Sequence, residues 1–439
     1  MSYADEKSLK PLRDSIVHKP PFISGVFGLR PDVFTLFYRA GEQAHVIDLA
    51  NATSSQLDTL SSSCTPAPFG LKNETVLDET YRKAGKMDCS DFATPLVPER
   101  TCLVDTICDE LLEGKEAKKL IEFELYKLNV YSEGSFFKAH QDTPRDEYMF
   151  GSLVLVFPTP HEGGALILRH GGQEWTFDSA EELRTNAQDA EFPNIGWVVF
   201  FSDVEHEVAV VESGHRVTLT YNLYLRTRES DDADPHTDSD TDSEAEEPLM
   251  VSPQQATFKT ELEALLADPQ FLPKGGSLGF GLRHVYPVKN TLSHIPRLLK
   301  GGDAVIQRVC DQLGLEVTPF LMYEGSQRQY YGEIEEQVIT DMFPEVDYDY
   351  DMQFIDILKE EFDGKVVSRI DRQFNRNERL YDEIDEFVTW VTRPTSQTVV
   401  QTVFPTYGNE AQVGYTYGNV CLIVSIPPAA ERETGSASE

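Results

Sequence analysis

The amino-acid sequence predicts an α+β protein that is mainly β: a sandwich or barrel of short strands with flanking helices, followed by a mixed α/β C-terminal region. Two observations predict it. From Phe123 to Leu225, β-branched and aromatic runs (ELYKLNVY, GSLVLVF, GALILRH, IGWVVFF, EVAVV, RVTLTYNLYL) are separated by Gly-, Pro-, Asn- and Asp-rich breaks such as SEG, PTPHEGG and SGH. Runs of that length and spacing form strands joined by turns rather than βαβ units. The second observation is Glu229–Glu247, ESDDADPHTDSDTDSEAEE, where ten of nineteen residues are acidic and none is aromatic. It has too little apolar surface to offset its ordering entropy, so a disordered linker is expected.

These landmarks divide the chain. Residues 1–100 form an N-terminal region expected to pack on a strand-rich domain at 101–227. Residues 228–252 are the linker, 253–428 a mixed α/β, non-catalytic domain, and 429–439 a disordered tail. Pro98–Gly114 reads as a helix with Leu103, Ile107 and Leu111 along one face. After the linker, Thr257–Ala267 and Asp303–Leu313 read as helices, GGSLGFGLRHVYPV as extended chain, and VTWVT, TVVQTVF and NVCLIVSIP as closing strands. For this second half the sequence leaves open a degenerate second β-helix or a mixed lid.

The 439 residues exceed one average domain, and 40% hydrophobic residues suffice for buried cores. The formal charge of −36, from 74 acidic and 38 basic residues, repels phosphate backbones and anionic membrane surfaces unless a local basic patch overrides it. No run of Lys and Arg offers one, so neither nucleic acid nor membrane is an expected partner. The six cysteines lack a CxxC pair, no apolar leader opens the chain, and the longest apolar runs are strand-length. Free thiols in an intracellular setting, cytoplasmic or nuclear, are the expectation. Oligomeric state is not encoded in any of these features.

The chemistry-bearing residues lie in the strand-rich region: Tyr131, then His140-Gln-Asp142, then Asp203-Val-Glu-His206, then Arg216-Val-Thr218. Two imidazoles and a carboxylate on one face of an octahedral iron(II) leave three positions for a bidentate 2-oxo acid and for dioxygen. On a strand, the alternation of side chains turns His140 and Asp142 to the same side. The third ligand must come from a distant strand, and His206 follows the apolar run GWVVFF. Arg216, ten residues beyond His206, offers a planar fork for a dicarboxylate's far end. Thr218 faces the same way, and Tyr131 can add a phenolic hydrogen bond.

A lone His-x-Asp has no value, since His236-Thr-Asp238 repeats it inside the acidic linker. The ordered set on strands is what points to metal. His215 competes for the third ligand position, but it neighbours Arg216 and so faces the opposite side. His161 and His170 read as loop or substrate-side residues. Arg145 and Arg169 read equally as substrate contacts or structural ion pairs.

The stretches YKLNVYSEGSFFKAHQDTPR, GSLVLVFPTPHEGGALILRHGG and FFSDVEHEVAVVESGHRVTLTYNL resemble the prolyl 4-hydroxylase-like branch of the 2-oxoglutarate/Fe(II)-dependent dioxygenase superfamily, and in particular fungal proteins with that domain. The resemblance implies a double-stranded β-helix (a jelly roll) holding metal and co-substrate in its open mouth. It implies His140, Asp142 and His206 as the catalytic iron ligands, and Arg216, Thr218 and Tyr131 as the 2-oxoglutarate site. The family's EGGxL turn is present as Glu162-Gly163-Gly164-Ala165-Leu166. Fe(II), 2-oxoglutarate, O2 and, by inheritance, L-ascorbate are the implied cofactors. AlkB-type nucleic-acid demethylases share Asn129-Val-Tyr131 and His-Gln-Asp, but carry a second arginine where this chain has Asn222.

The implied reaction hydroxylates a C–H bond with release of succinate and CO2. A prolyl or other protein side chain is the leading substrate class. A small-molecule hydroxylase of the same mechanism, or a catalytically idle scaffold acting through its acidic C-terminal region, are the alternatives.

Overall fold

The computed structural model describes residues 6–16, 19–71, 74–112, 120–142, 144–146, 148–187, 191–226, 253–286, 288, 291–329, 332–344, 353–373, 376–379, 384–395, 399–407 and 411–432. The expected linker 228–252, its His236-x-Asp238 pair, Gly114 and residues 433–439 lie outside them. The chain divides into two compact units, Pro20–Met250 and Met1–Lys19 with Val251–Glu439.

The main strands of the 20–250 unit are Phe22–Gly28 (β1), Leu120–Ser132 (β2), Phe136–His140 (β3), Met149–Val156 (β4), Leu166–His170 (β5), Gln173–Phe177 (β6), Asn194–Phe201 (β7), Glu205–Val208 (β8) and Val211–Arg226 (β9). They form two sheets. The larger has the order β1-β7-β4-β9-β2 and continues through Gly85–Asp88 to Thr65–Pro66, with His161–Gly163 added to β9. The smaller runs β6-β5-β8-β3 and ends on Arg82–Lys83. Neighbours pair antiparallel throughout. From β2 to β9 the chain passes back and forth between the sheets, which is the winding of a double-stranded β-helix. A shared core joins them, with Leu166, Leu168 and Val208 of the smaller sheet among Leu153, Val199 and Leu219 of the larger.

The sequence explains the layering. Every position of β4 and β7 is buried, in keeping with their apolar stretches Leu153–Val156 and Trp197–Phe201. The outer cover over β7 comes from helix Ser179–Asn186, whose Leu183 Cγ lies 3.7 Å from where a Cβ on Gly196 would stand. Asp178 caps that helix, its Oδ1 accepting from the Ala180 and Glu181 amides at 3.1 Å. Pro98–Gly114 departs from the single regular helix expected. It forms a 3-10 turn at Pro98–Arg100, an α-turn at Leu103–Thr106 and a π-turn at Ile107–Leu111. Leu103, Ile107 and Leu111 are nonetheless all buried, so the apolar stripe holds while the backbone adapts to it.

Two boundaries require correction. Residues 1–100 are not one region packed on the strand-rich core, because helix Glu6–Ser15 packs against helix Pro253–Ala267 and strand Val388–Thr392. Leu9, Leu12 and Ile16, spaced along one helical face, belong to the core of the second unit, and Arg13 Nε donates to the Val391 carbonyl at 2.5 Å. The tail is ordered through Arg432, which donates to the carbonyls of Pro427, Leu266 and Leu272.

The second unit is mixed α/β. Its described strands form one eight-stranded sheet, with Lys365–Gln373, Gly332–Thr340, Val317–Gln329, Ala411–Ile426 and Gly276–Gly281 at its centre. Only the pairing of Gly276–Gly281 with Val388–Thr392 is parallel among them. Two facing sheets of a second β-helix do not occur among the described residues. The stretch expected to be extended through LRHVYPV leaves the sheet at Gly281, where the Asp303 carboxylate captures the chain. It accepts from the Arg283 amide at 3.0 Å, the His284 amide at 3.2 Å and the Tyr286 hydroxyl at 2.8 Å.

Candidate metal centre

His140 closes β3 and His206 lies on β8, and the two stand directly opposite in antiparallel register. Cross-strand partners of this kind bring side chains within contact distance. Their ring centroids are 4.1 Å apart at 55°. Asp142 lies two residues past the end of β3 rather than on the strand, so alternation alone does not aim it. Gln141 does, by donating from Nε2 to the Asp203 carbonyl at 2.9 Å, together with Ser152, whose hydroxyl donates to Asp142 Oδ2 at 2.6 Å. Asp142 Oδ1 is then 3.8 Å from His206 Nε2. One ligand atom from each of the three residues lies within 4.8 Å of the others.

The tautomers follow from the partners. His140 Nδ1 lies 2.8 Å from the Lys138 carbonyl and His206 Nδ1 lies 3.1 Å from the Val204 carbonyl. A carbonyl only accepts, so each Nδ1 carries the proton and each Nε2 keeps a lone pair for the centre. Phe137 stacks on His140 with centroids 3.5 Å apart, and Phe200 lies 4.6 Å from His206. Burial, reinforced by the neighbouring His206, holds the His140 imidazole neutral well below the usual histidine range. Burial would raise the Asp142 carboxyl, but His206, the Ser152 hydroxyl and His140 outweigh it and keep the carboxyl below its usual range.

Across the cavity, Arg216 on β9 pairs directly with Tyr131 on β2, and Thr218 with Asn129. Arg216 is 1% exposed, yet its Nε and Nη2 have no hydrogen-bond partner. Burial pulls its guanidinium below the ordinary value, opposed by Tyr131 and Asp178. A buried cation without partners is costly unless an anion completes it. His140, Asp142, His206, Tyr131, Arg216 and Thr218 line one cavity of about 80 Å³.

The EGGxL turn positions this arginine. Gly163 and Gly164 have φ of +70° and +69°, and a Cβ on Gly164 would stand 2.8 Å from Val211 Cγ2 and 3.0 Å from Arg216 Cδ. Only glycine fits both the backbone and the space.

Other expected residues fall elsewhere. His215 turns away, its Nε2 3.4 Å from Asp58 Oδ1. His161 is held by the Thr159 carbonyl at 2.7 Å, and His170 Nε2 lies 3.2 Å from Asp203 Oδ2. Arg169 is taken up by Glu174 at 2.7 Å and Glu207 at 2.9 Å, the structural reading. Asn222 donates to Glu124 Oε2 at 2.7 Å. The sequence reading missed Ser152, Gln141, Arg82 and Lys127. The last is foreshadowed, because Lys127, Asn129 and Tyr131 alternate along one strand.

A β-helix with two histidines, an aspartate and a buried arginine around one cavity defines the class of metal-dependent oxygenases. Residues 126–224 match the 2OG-Fe(II) oxygenase superfamily model, so the chain carries a domain of that superfamily. It is therefore a 2-oxoglutarate-dependent dioxygenase, with Fe(II), 2-oxoglutarate and O2 as its cofactors. Among solved structures, it is similar to a Pseudomonas putida prolyl-4-hydroxylase at 19% identity, covering 50% of this chain and 99% of that one, with a TM-score of 0.28. It is also similar to a Trichoplax adhaerens prolyl hydroxylase in complex with a hypoxia inducible factor peptide fragment, at 14% identity, 51% and 94% coverage and a TM-score of 0.29. Comparison with curated protein sequences gives no match.

Proposed function

We propose that His140, Asp142 and His206 hold Fe(II), that Arg216 with Thr218 and Tyr131 anchors 2-oxoglutarate, and that the protein hydroxylates a C–H bond of a protein side chain, prolyl being the leading class. The observation that carries this reading is Arg216, a buried guanidinium with Nε and Nη2 unpartnered beside three convergent ligand atoms. Ferrous iron with 2-oxoglutarate supplies the activation of dioxygen, with succinate and CO2 as products. The chain's own residues do the rest. The carbonyls of Lys138 and Val204 hold the Nδ1 protons, Ser152 fixes Asp142, and Phe137 and Phe200 shield the imidazoles from water. Arg216 would hold the far carboxylate of the co-substrate through Nε and Nη2.

A peptide substrate is supported by the prolyl-hydroxylase-like sequence pattern, and L-ascorbate is an accessory reductant on the same ground. No nucleic-acid substrate is proposed, in keeping with the charge of −36. An intracellular setting, cytoplasm or nucleus, is supported by six free cysteines. Burial pushes the thiols of Cys64 and Cys310 up to about 12 and that of Cys108 to about 11, so these are packing residues. No described helix is long and apolar enough to cross a membrane.

The test is succinate release from 2-oxoglutarate by the full chain with Fe(II) and no added substrate, compared with Asp142→Ala. Slow turnover in the wild type and none in the variant is the expected result. Equal turnover in both would mean the triad is assigned wrongly.

A further inference from the structure

We propose that the substrate of this site carries a carboxylate beside the reacting carbon, recognised by Lys127 and Arg145 at the mouth of the cleft. The inference rests on the oxygenase reading above and extends it to substrate class.

The metal cavity opens into a cleft of about 440 Å³ that shares Arg82, Tyr126, Lys127, Phe137, His140 and Asp142 with it. Four cations line the cleft, Arg82, Lys86, Lys127 and Arg145, and Arg82 and Lys127 also line the metal cavity. They come from separate places in the chain, which is why no basic run announces them. In a protein of net charge −36 their convergence is a local inversion of the field.

A β-bulge builds the cluster. The pairing of β2 with β9 steps from Leu125 opposite Tyr221 to Lys127 opposite Thr220, leaving Tyr126 as the extra residue. A bulge breaks alternation, so Tyr126 and Lys127 both line the cleft. The Tyr126 ring forms a platform, with Lys127 Nζ 3.7 Å and Arg145 Cζ 4.1 Å from its centroid. Arg82 is 6% exposed and stacks on Phe137 at 4.3 Å, with Nη1 and Nη2 bonded to the Pro68 carbonyl and Asn129 while Nε is unpartnered.

Among the described residues the cluster is only partly paired. Lys86 pairs with Asp88 at 2.6 Å, but no described carboxylate forms an ion pair with Arg82, Lys127 or Arg145. The site's own charges do not supply one. Two positive charges of Fe(II) and one of Arg216 offset Asp142 and the two carboxylates of 2-oxoglutarate. Lys127 is 8% exposed, and a lysine so placed needs an anion or it loses its proton. Burial does depress the Lys127 ammonium, opposed by its hydrogen bond to Tyr126, with Arg82 and Lys86 adding to the depression. Nearby Asp88 and Asp142, with Glu124 bonded to Asn222 on the cleft wall, disfavour a polyanion such as nucleic acid over a single carboxylate at Lys127 and Arg145.

The experiment uses the full chain with Fe(II) and saturating 2-oxoglutarate under anaerobic conditions. Binding of a fluorescein-labelled Glu-Glu-Pro-Glu-Glu peptide is compared with its Gln-Gln-Pro-Gln-Gln counterpart by anisotropy. The acidic peptide is expected to bind at least about tenfold tighter, with a ratio near one in Lys127→Met/Arg145→Gln. Arg145 is exposed, so Arg145→Gln alone, expected to cut the ratio severalfold, keeps the test available if the double variant fails to fold. Displacement by free N-acetylglutamate at equal concentration would assign the carboxylate to a small acid, and its failure to displace would assign it to a peptide. Equal affinity for both peptides, a preference that survives the double variant, or tighter binding of a single-stranded oligonucleotide of matched length would overturn the proposal. Iron and 2-oxoglutarate binding are measured in the same samples, so a protein that keeps the charge preference without them fails the oxygenase reading alone.

Discussion

The Ser152 hydroxyl donates to Oδ2 of Asp142 at 2.6 Å, leaving Oδ1 3.8 Å from His206 Nε2. One oxygen of the carboxylate is thereby occupied and the other is free for the centre. Partners of this kind orient a ligand, and losing one costs about 10–100-fold in metal affinity. Ser152→Ala is expected to raise the Fe(II) dissociation constant within that range, read by anaerobic calorimetric titration, with little loss of fold.

Arg216 makes opposite predictions for stability and binding. Its guanidinium is buried with Nε and Nη2 unpartnered, so it stabilises the fold poorly while awaiting an anion. Arg216→Met should leave the melting temperature of the ligand-free protein unchanged or higher. It should also weaken 2-oxoglutarate by about 2–5 kcal/mol, the usual cost of losing one partner of a buried charge pair. A variant that melts lower yet binds 2-oxoglutarate normally would show that Arg216 is only a structural cation.

Gly164→Ala places a methyl 2.8 Å from Val211 Cγ2 and 3.0 Å from Arg216 Cδ at a φ of +69°. Strain and overpacking together should destabilise the protein by about 1–3 kcal/mol and displace Arg216. Thermal melts and 2-oxoglutarate titration check the two effects separately.

The pH dependence has a defined sign. The pKa of His140 in the folded protein is depressed, so the folded state keeps it neutral while the unfolded chain takes up a proton below about 6.5. Its contribution is therefore unfavourable to folding below that pH and grows as pH falls towards the depressed value. Asp142, also depressed, contributes stability present above about pH 3.9 and lost as pH falls through its folded value. Melting temperature of the metal-free protein should fall from pH 7 to pH 4, and His140→Gln should flatten the upper part of that slope.

Much of the site was legible in the sequence because strands repeat with period two. Arg216, Thr218 and Tyr131 fall on facing positions of β9 and β2, where alternation puts them. His206 was reachable as the polar residue after an apolar strand. Asp142 comes beside His206 for a reason other than strand alternation, since it lies beyond β3 and Gln141 and Ser152 aim it. The basic cleft was illegible, because Arg82, Lys86, Lys127 and Arg145 meet only after folding and a bulge at Tyr126 breaks the local pattern. The same limit applied to helix Glu6–Ser15, whose amphipathic face does not say which core it joins.

The central claim is that His140, Asp142 and His206 form one iron site facing a 2-oxoglutarate held by Arg216. Its most direct test is anaerobic absorption spectroscopy of the full chain with Fe(II), titrated with 2-oxoglutarate. The account predicts a visible charge-transfer band on chelation of the 2-oxo acid, absent in Asp142→Ala and requiring far more 2-oxoglutarate in Arg216→Met. A band of wild-type intensity and affinity in both variants would contradict it.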